Sequence, residues 1–145
     1  MAYSNKAEEE LRKLSMEMRY LEQTAEALQQ RISMVNAALT DINYANMTLD
    51  GIEKEKENTE MLVPIGGSSY VKVKLADSNK IIIGLGAGVS VEKTLPEAKA
   101  TLKERLDELE KTMHAAQQQF SQVAERINSG RSRLETLVAA REGKQ

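Results

Sequence analysis

Cysteine and tryptophan are absent from this chain, and it holds one histidine, one phenylalanine and two prolines. Without cysteine there is no disulfide framework, no thiol nucleophile, and no zinc finger or iron–sulfur site. The single histidine, His114, has no nucleophile or paired carboxylates converging on it in the pattern, which argues against an enzyme. Charge of one sign is missing too: 20 Lys and Arg stand against 22 Asp and Glu, net −2. That balance offers no footing on nucleic acid or an anionic membrane. The longest apolar run, Ile81–Leu85, falls far short of the roughly 20 residues that span a bilayer. Met1–Glu10 carries three glutamates where a signal peptide needs an apolar stretch. The expectation is one soluble, cytoplasmic domain with no cofactor or metal.

Aromatic residues make up 3% of the 145. Compact cores lean on aromatic volume, so a narrow aliphatic seam suits this composition better than a ball. The seam is legible. Leu11, Leu14, Met18, Leu21, Ala25, Leu28, Ile32, Val35, Leu39, Ile42, Asn46 and Leu49 alternate three and four apart, an a/d heptad without Pro or Gly until Gly51. A helix from about Asn5 to about Lys56 would be ~75 Å long at 1.5 Å per residue. A second heptad runs from Leu95 through Leu102, Leu106, Leu109, Met113, Ala116, Phe120, Val123 and Ile127 to Leu134 and Leu137. Thr94 as N-cap, Pro96 in the first turn and Glu97 mark its start. Gly130 falls on a d position and leaves a gap in the seam. Residues 1–58 carry 7 basic and 11 acidic side chains and residues 95–145 carry 9 and 8, a contrast that favours pairing the two arms with each other.

Between the arms the period changes to two. Met61–Ile65, Tyr70–Leu75, Lys80–Leu85 and Ala87–Glu92 read as four short strands in two hairpins, turning at Gly66-Gly67-Ser68 and at Gly86. Ile81, Ile82, Ile83 and Leu85 are apolar on both faces of their strand. Four strands alone expose their edges, so the expected cover is other subunits. The fold class is α+β: a long antiparallel two-helix coiled-coil hairpin (1–58 and 94–145) with two β-hairpins (59–93) that contribute to an oligomeric β-barrel platform. Candidate oligomerisation residues are Leu62, Val63, Ile65, Val71, Val73, Ile81, Ile82, Ile83, Leu85, Val89 and Val91.

Leu62-Val63-Pro64-Ile65-Gly66-Gly67, followed by Tyr70-Val71-Lys72-Val73, and Gly86-Ala87-Gly88-Val89-Ser90-Val91-Glu92-Lys93 running into Thr94-Leu95-Pro96-Glu97 resemble the α-type, archaeal-like subunits of the prefoldin family. The resemblance covers the whole chain. It implies an ATP-independent chaperone of two α-type and four β-type subunits, whose coiled-coil tips hold non-native proteins for delivery to a group II chaperonin. Apolar residues near the N-terminus exceed what a seam needs, and unbranched methionine suits clients of no fixed shape. Candidate client-binding residues are Tyr3, Leu11, Leu14, Met16 and Met18, faced by Leu134, Leu137 and Val138. The alternative is a structural coiled-coil scaffold or tether without client binding.

Other patterns carry less. Gly84-x-Gly86-x-Gly88 lacks the spaced third glycine of a dinucleotide loop and is followed by a strand, so it reads as hairpin geometry. Asn46-Met47-Thr48 matches a glycosylation sequon but lies in the seam. Arg126, Arg131, Arg133, Arg141 and Lys144 form either a partner patch or a solvated helix face balanced by Glu125, Glu135 and Glu142.

Overall fold

The computed structural model describes residues 2–143, with side chains from Asn5 onward. Two α-helices flank four β-strands: α1 (Ala2–Glu53), β1 (Glu60–Gly66), β2 (Ser69–Lys74), β3 (Ile81–Gly86), β4 (Val89–Lys93) and α2 (Leu95–Glu142). α1 stops at Glu53, three residues short of the expected end. The strands pair as two separate antiparallel hairpins, β1 with β2 and β3 with β4. The second turn lies at Ala87-Gly88 rather than Gly86. Gly86, Ala87 and Gly88 all take positive φ (95°, 51° and 77°), so β3 runs on through Gly86 and the left-handed pair closes the loop.

The chain divides into two compact units. The first pairs α1 up to Ala37 with α2 from Lys111 onward. Here the helices run antiparallel along the heptad seam: Met18, Leu21, Val35 and Ala116 are buried, and Leu11, Leu14, Leu134 and Leu137 are half-buried. The arginines expected as a patch or a solvated face do something else. Arg133 Nη2 lies 2.7 Å from Glu10, Arg126 Nη2 3.0 Å from Glu17, and Arg131 and Arg141 each 3.9 Å from Glu22 and Glu8. Their balance comes from α1, not from glutamates of their own helix; Lys144 lies outside the described residues. Both members of every pair are largely exposed, so each adds little stability but disfavours pairing α2 with itself.

The gap expected at Gly130 is occupied. A Cβ built on Gly130 would meet Met18 Sδ at 2.2 Å, so the Met18 thioether lies in the notch that the missing side chain opens.

The second unit, Ala38–Glu110, holds the rest of both helices and all four strands. Its core is Leu49 of α1, Ile83 of β3, and Leu95 and Ala98 of α2, with Ile81 and Leu102 packed against them. Ala98 is fully buried (0% exposed). Thr94 caps α2: its Oγ1 accepts from Glu97 N at 3.3 Å and its carbonyl from Ala98 N at 2.8 Å. A second cap comes from 16 residues upstream, where Asn79 Oδ1 accepts from Leu95 N at 3.1 Å. Asp77 holds that asparagine by accepting from its backbone N at 2.9 Å. Two of the four orphan donors at the helix start are thereby satisfied by side chains.

Candidate functional site

In the second unit the two hairpins present different surfaces. Cross-strand register puts Met61 beside Val73 and Val63 beside Val71, so one face of β1–β2 is dominated by apolar side chains, since alternate side chains share a face. Opposite lie Glu60 with Lys74, Leu62 with Lys72, and Pro64 with Tyr70. Every side chain of β2, and every one of β1 except half-buried Met61, is exposed. Leu62, Val63, Ile65, Val71 and Val73 are thus uncovered, as is Tyr70.

The β3–β4 hairpin is rooted on its own helices. Ile83 is 4% exposed and Ile82 is 74% exposed, because successive side chains alternate across a strand. This corrects the expectation that other subunits cover both faces: Ile83 and Ile81 pack on Leu49, Leu95, Ala98 and Leu102 of the same chain. Val91, paired with Ile83, is half-buried. Ile82, Leu85 and Val89 remain free. Polar contacts tighten the root. Arg105 Nη2 donates to the Gly84 carbonyl at 2.7 Å, and Lys93 Nζ donates to Thr101 Oγ1 at 3.0 Å. At the end of α1, Lys99 bonds Glu53 and lies 2.9 Å from Asp50. Hydrogen bonding to Glu53 first, then to Asp50, raises the Lys99 pKa above its ordinary value.

In the first unit the client-binding candidates separate. Met16 (67% exposed) and Val138 are open to solvent, whereas Met18 (5%) is buried. Met18 therefore leaves the exposed set, because Gly130 gives it a place in the seam. Leu11, Leu14, Leu134 and Leu137 are half-buried between the helices, and the Tyr3 side chain lies outside the described residues. Tyr20 and Met34 of this unit, and Tyr44 and Met47 of the other, are exposed as well. The heptad pattern does not single out Met34, Tyr44 and Met47 as surface residues; their one signal is that large apolar residues fall off the a/d positions. A groove of about 400 Å³ opens beside Met18 and Gly130, with Leu14 and Leu21 in its wall.

Among the described residues no group of three or more His, Cys, Asp or Glu side chains is placed to hold a metal ion, and no helix is long and apolar enough to cross a membrane. What the geometry offers is surface: paired helices with soft apolar side chains, and hairpins with uncovered aliphatic faces. That defines a helical-hairpin interaction subunit. The prefoldin subunit family model matches residues 21–140, and the chain belongs to the prefoldin family. It is 32% identical over 126 residues to the prefoldin subunit alpha of Methanococcoides burtonii, covering 87% of this chain and 91% of that one. To the prefoldin subunit alpha of Pyrococcus horikoshii it is 34% identical over 128 residues, covering 88% and 84%. Among solved structures, a chain of filamentous prefoldin from Methanocaldococcus jannaschii superposes with a TM-score of 0.66 at 21% identity, covering 77% of this chain and 92% of that one. The prefoldin beta subunit of Thermococcus strain KS-1 gives 0.59 at 18% identity, covering 88% and 90%. These two likenesses bear on the fold: long helices with two β-hairpins between them. The family is one of chaperones.

Proposed function

We propose that this chain is the α-type subunit of an ATP-independent holdase, which assembles with β-type subunits through its hairpins, two α with four β. It captures non-native proteins at the ends of its paired helices and passes them to a group II chaperonin. The observation that carries this reading is the aliphatic surface the chain leaves uncovered on its strands: Leu62, Val63, Ile65, Val71, Val73, Ile82, Leu85 and Val89. Large apolar side chains left exposed in this number mark an interaction surface, and strands of a neighbour relieve the open edges of two-stranded sheets. Capture at the helix ends rests on Met16 and Val138, which are exposed and outside the seam, together with the half-buried Leu11, Leu14, Leu134 and Leu137 and, from the sequence alone, Tyr3. One such patch binds weakly. Several on one assembly gain effective concentration, with avidity about 10²–10⁴-fold above a single arm.

The test uses the complex with a β-type subunit and an unfolded client, without nucleotide. The parent complex is expected to suppress aggregation. Tyr3, Met16 and Val138 replaced by Ser leave Leu11, Leu14, Leu134 and Leu137 to hold the seam, so the complex should keep its mass and lose protection. Undiminished protection by that variant overturns capture at the helix ends. A parent complex of the right mass that protects nothing is a scaffold.

A further inference from the structure

We infer that Met18 and Gly130 form a steric key that holds the helices of the first unit in one register. The two residues face each other across the seam, and the fit is tight. A Cβ on Gly130 would stand 2.2 Å from Met18 Sδ, well inside the roughly 3.5–4.0 Å at which non-bonded carbons rest, and at ordinary contact distance from Cε and Cγ, 3.4 and 3.5 Å. The sulfur therefore lies against bare helix backbone, in space that a Cβ at position 130 would take from it.

Other features of the unit discriminate registers poorly. A slide of one heptad moves the helices by about 10 Å at 1.5 Å per residue and returns a and d positions to a and d positions. It sets Gly130 opposite Ala25 in one direction and Leu11 in the other, all seam residues. Of the four ion pairs, two are partly permissive. Glu10 and Glu17 are seven apart, as are their partners Arg133 and Arg126. One slide puts Glu17 opposite Arg133, and the reverse puts Glu10 opposite Arg126. Exposed pairs of this kind contribute little in any case. The key is not permissive. In either slide Met18 meets Leu137 or Val123, each with a side chain where Gly130 has none. Sliding toward Ala25 also leaves the notch unfilled. The groove of about 400 Å³ beside Met18 shows that the seam is thinly filled there, so this one contact carries packing that leucines carry elsewhere.

The test exploits the absence of native cysteine. In the full chain, a cysteine pair at Leu14 and Leu134 reports the native register, and a pair at Leu14 and Ile127 reports a register slid by one heptad. The parent background is expected to cross-link the first pair and not the second. Gly130→Leu, which overfills the notch, should slow the native cross-link about tenfold and lower the unfolding midpoint by about 3–10 °C, the shift that overpacking gives in a chain of this size. The composition-conserving exchange Met18→Gly with Gly130→Met should recover most of both losses. Native cross-linking and an unchanged midpoint in Gly130→Leu overturn the key. So does an exchange variant no better than Gly130→Leu alone, since the pair would then not act as a unit.

Discussion

The two β-hairpins have almost equal lengths and the same antiparallel pairing, yet only one belongs to the core of its own chain. β3–β4 seats Ile83 among Leu49, Leu95 and Ala98 and is tied to α2 through Arg105, Lys93 and Asn79. β1–β2 leaves Val63, Val71 and Val73 exposed. A two-stranded sheet is marginal in water unless something packs on it. The second hairpin has that support within the monomer, and under the proposed assembly the first obtains it from a neighbour. Under that assembly one hairpin serves folding as well as association, and the other association alone.

Aspartate at Ile83 and at Ile82 breaks the comparison most sharply. Truncating a buried isoleucine costs about 2–5 kcal/mol, and a carboxyl group placed there adds the cost of desolvation without a partner. Ile83→Asp is expected to unravel the second unit even in the chain alone, seen as a lower, broader helical melt by circular dichroism. Ile82→Asp, one residue along and facing solvent, should leave that melt unchanged and act on assembly only. Equal melts for the two variants would mean that β3 is not anchored through Ile83.

Association is the next largest effect. Val63→Asp with Val71→Asp puts two like charges directly opposite on the uncovered face. Surface changes away from packed features usually stay within about 0.5 kcal/mol, so the chain alone should melt nearly as the parent does. Mixed with a β-type subunit, it should no longer give the hexamer mass. A full-sized hexamer from this variant would assign the interface to the other hairpin.

The sequence made the periods plain and left the partners obscure. Twelve heptad positions in α1 and the change to period two across 59–93 have local causes, so helices and strands were readable from spacing. Ile81-Ile82-Ile83 has no alternation, and nothing local says which side of such a strand its own helices take. Ala98 is buried because small size lets backbones approach, not because hydrophobicity marks it. Gly130 reads locally as a gap, since the methionine that fills it is 112 positions away. Asn79 has the local chemistry of a turn residue, and its role as a cap of α2 exists only once β3–β4 folds back.

That cap is testable. Asn79→Ala should cost about 1 kcal/mol, the usual loss for an N-cap side chain, read as a lower urea midpoint for the chain alone. Thr94 still caps the same helix, so Thr94→Ala on top of it should cost more than either change singly. A neutral Asn79→Ala would detach the second hairpin from the start of α2 and weaken the contrast between the hairpins.

The smallest effect sharpens the comparison most cleanly, because it strengthens each hairpin rather than damaging it. Both turns place two residues at positive φ: Gly67 and Ser68 at 56° and 59°, and Ala87 and Gly88 at 51° and 77°. Such paired left-handed turns favour Asn-Gly, and alanine there crowds its Cβ against the backbone. Ala87→Asn should therefore stabilise β3–β4 by roughly 0.5–1 kcal/mol, within the steric cost that asparagine reduces. Since β3 is part of the core, this gain should appear as a rise of about 1–4 °C in the melt of the chain alone. Ser68→Gly relieves the same strain in β1–β2, where no core residue is attached to transmit it. Its effect on that melt should be undetectable, while amide exchange in β1 and β2 slows. Matching rises from the two substitutions would show that both hairpins unfold with the core, and the division between folding and association would fail.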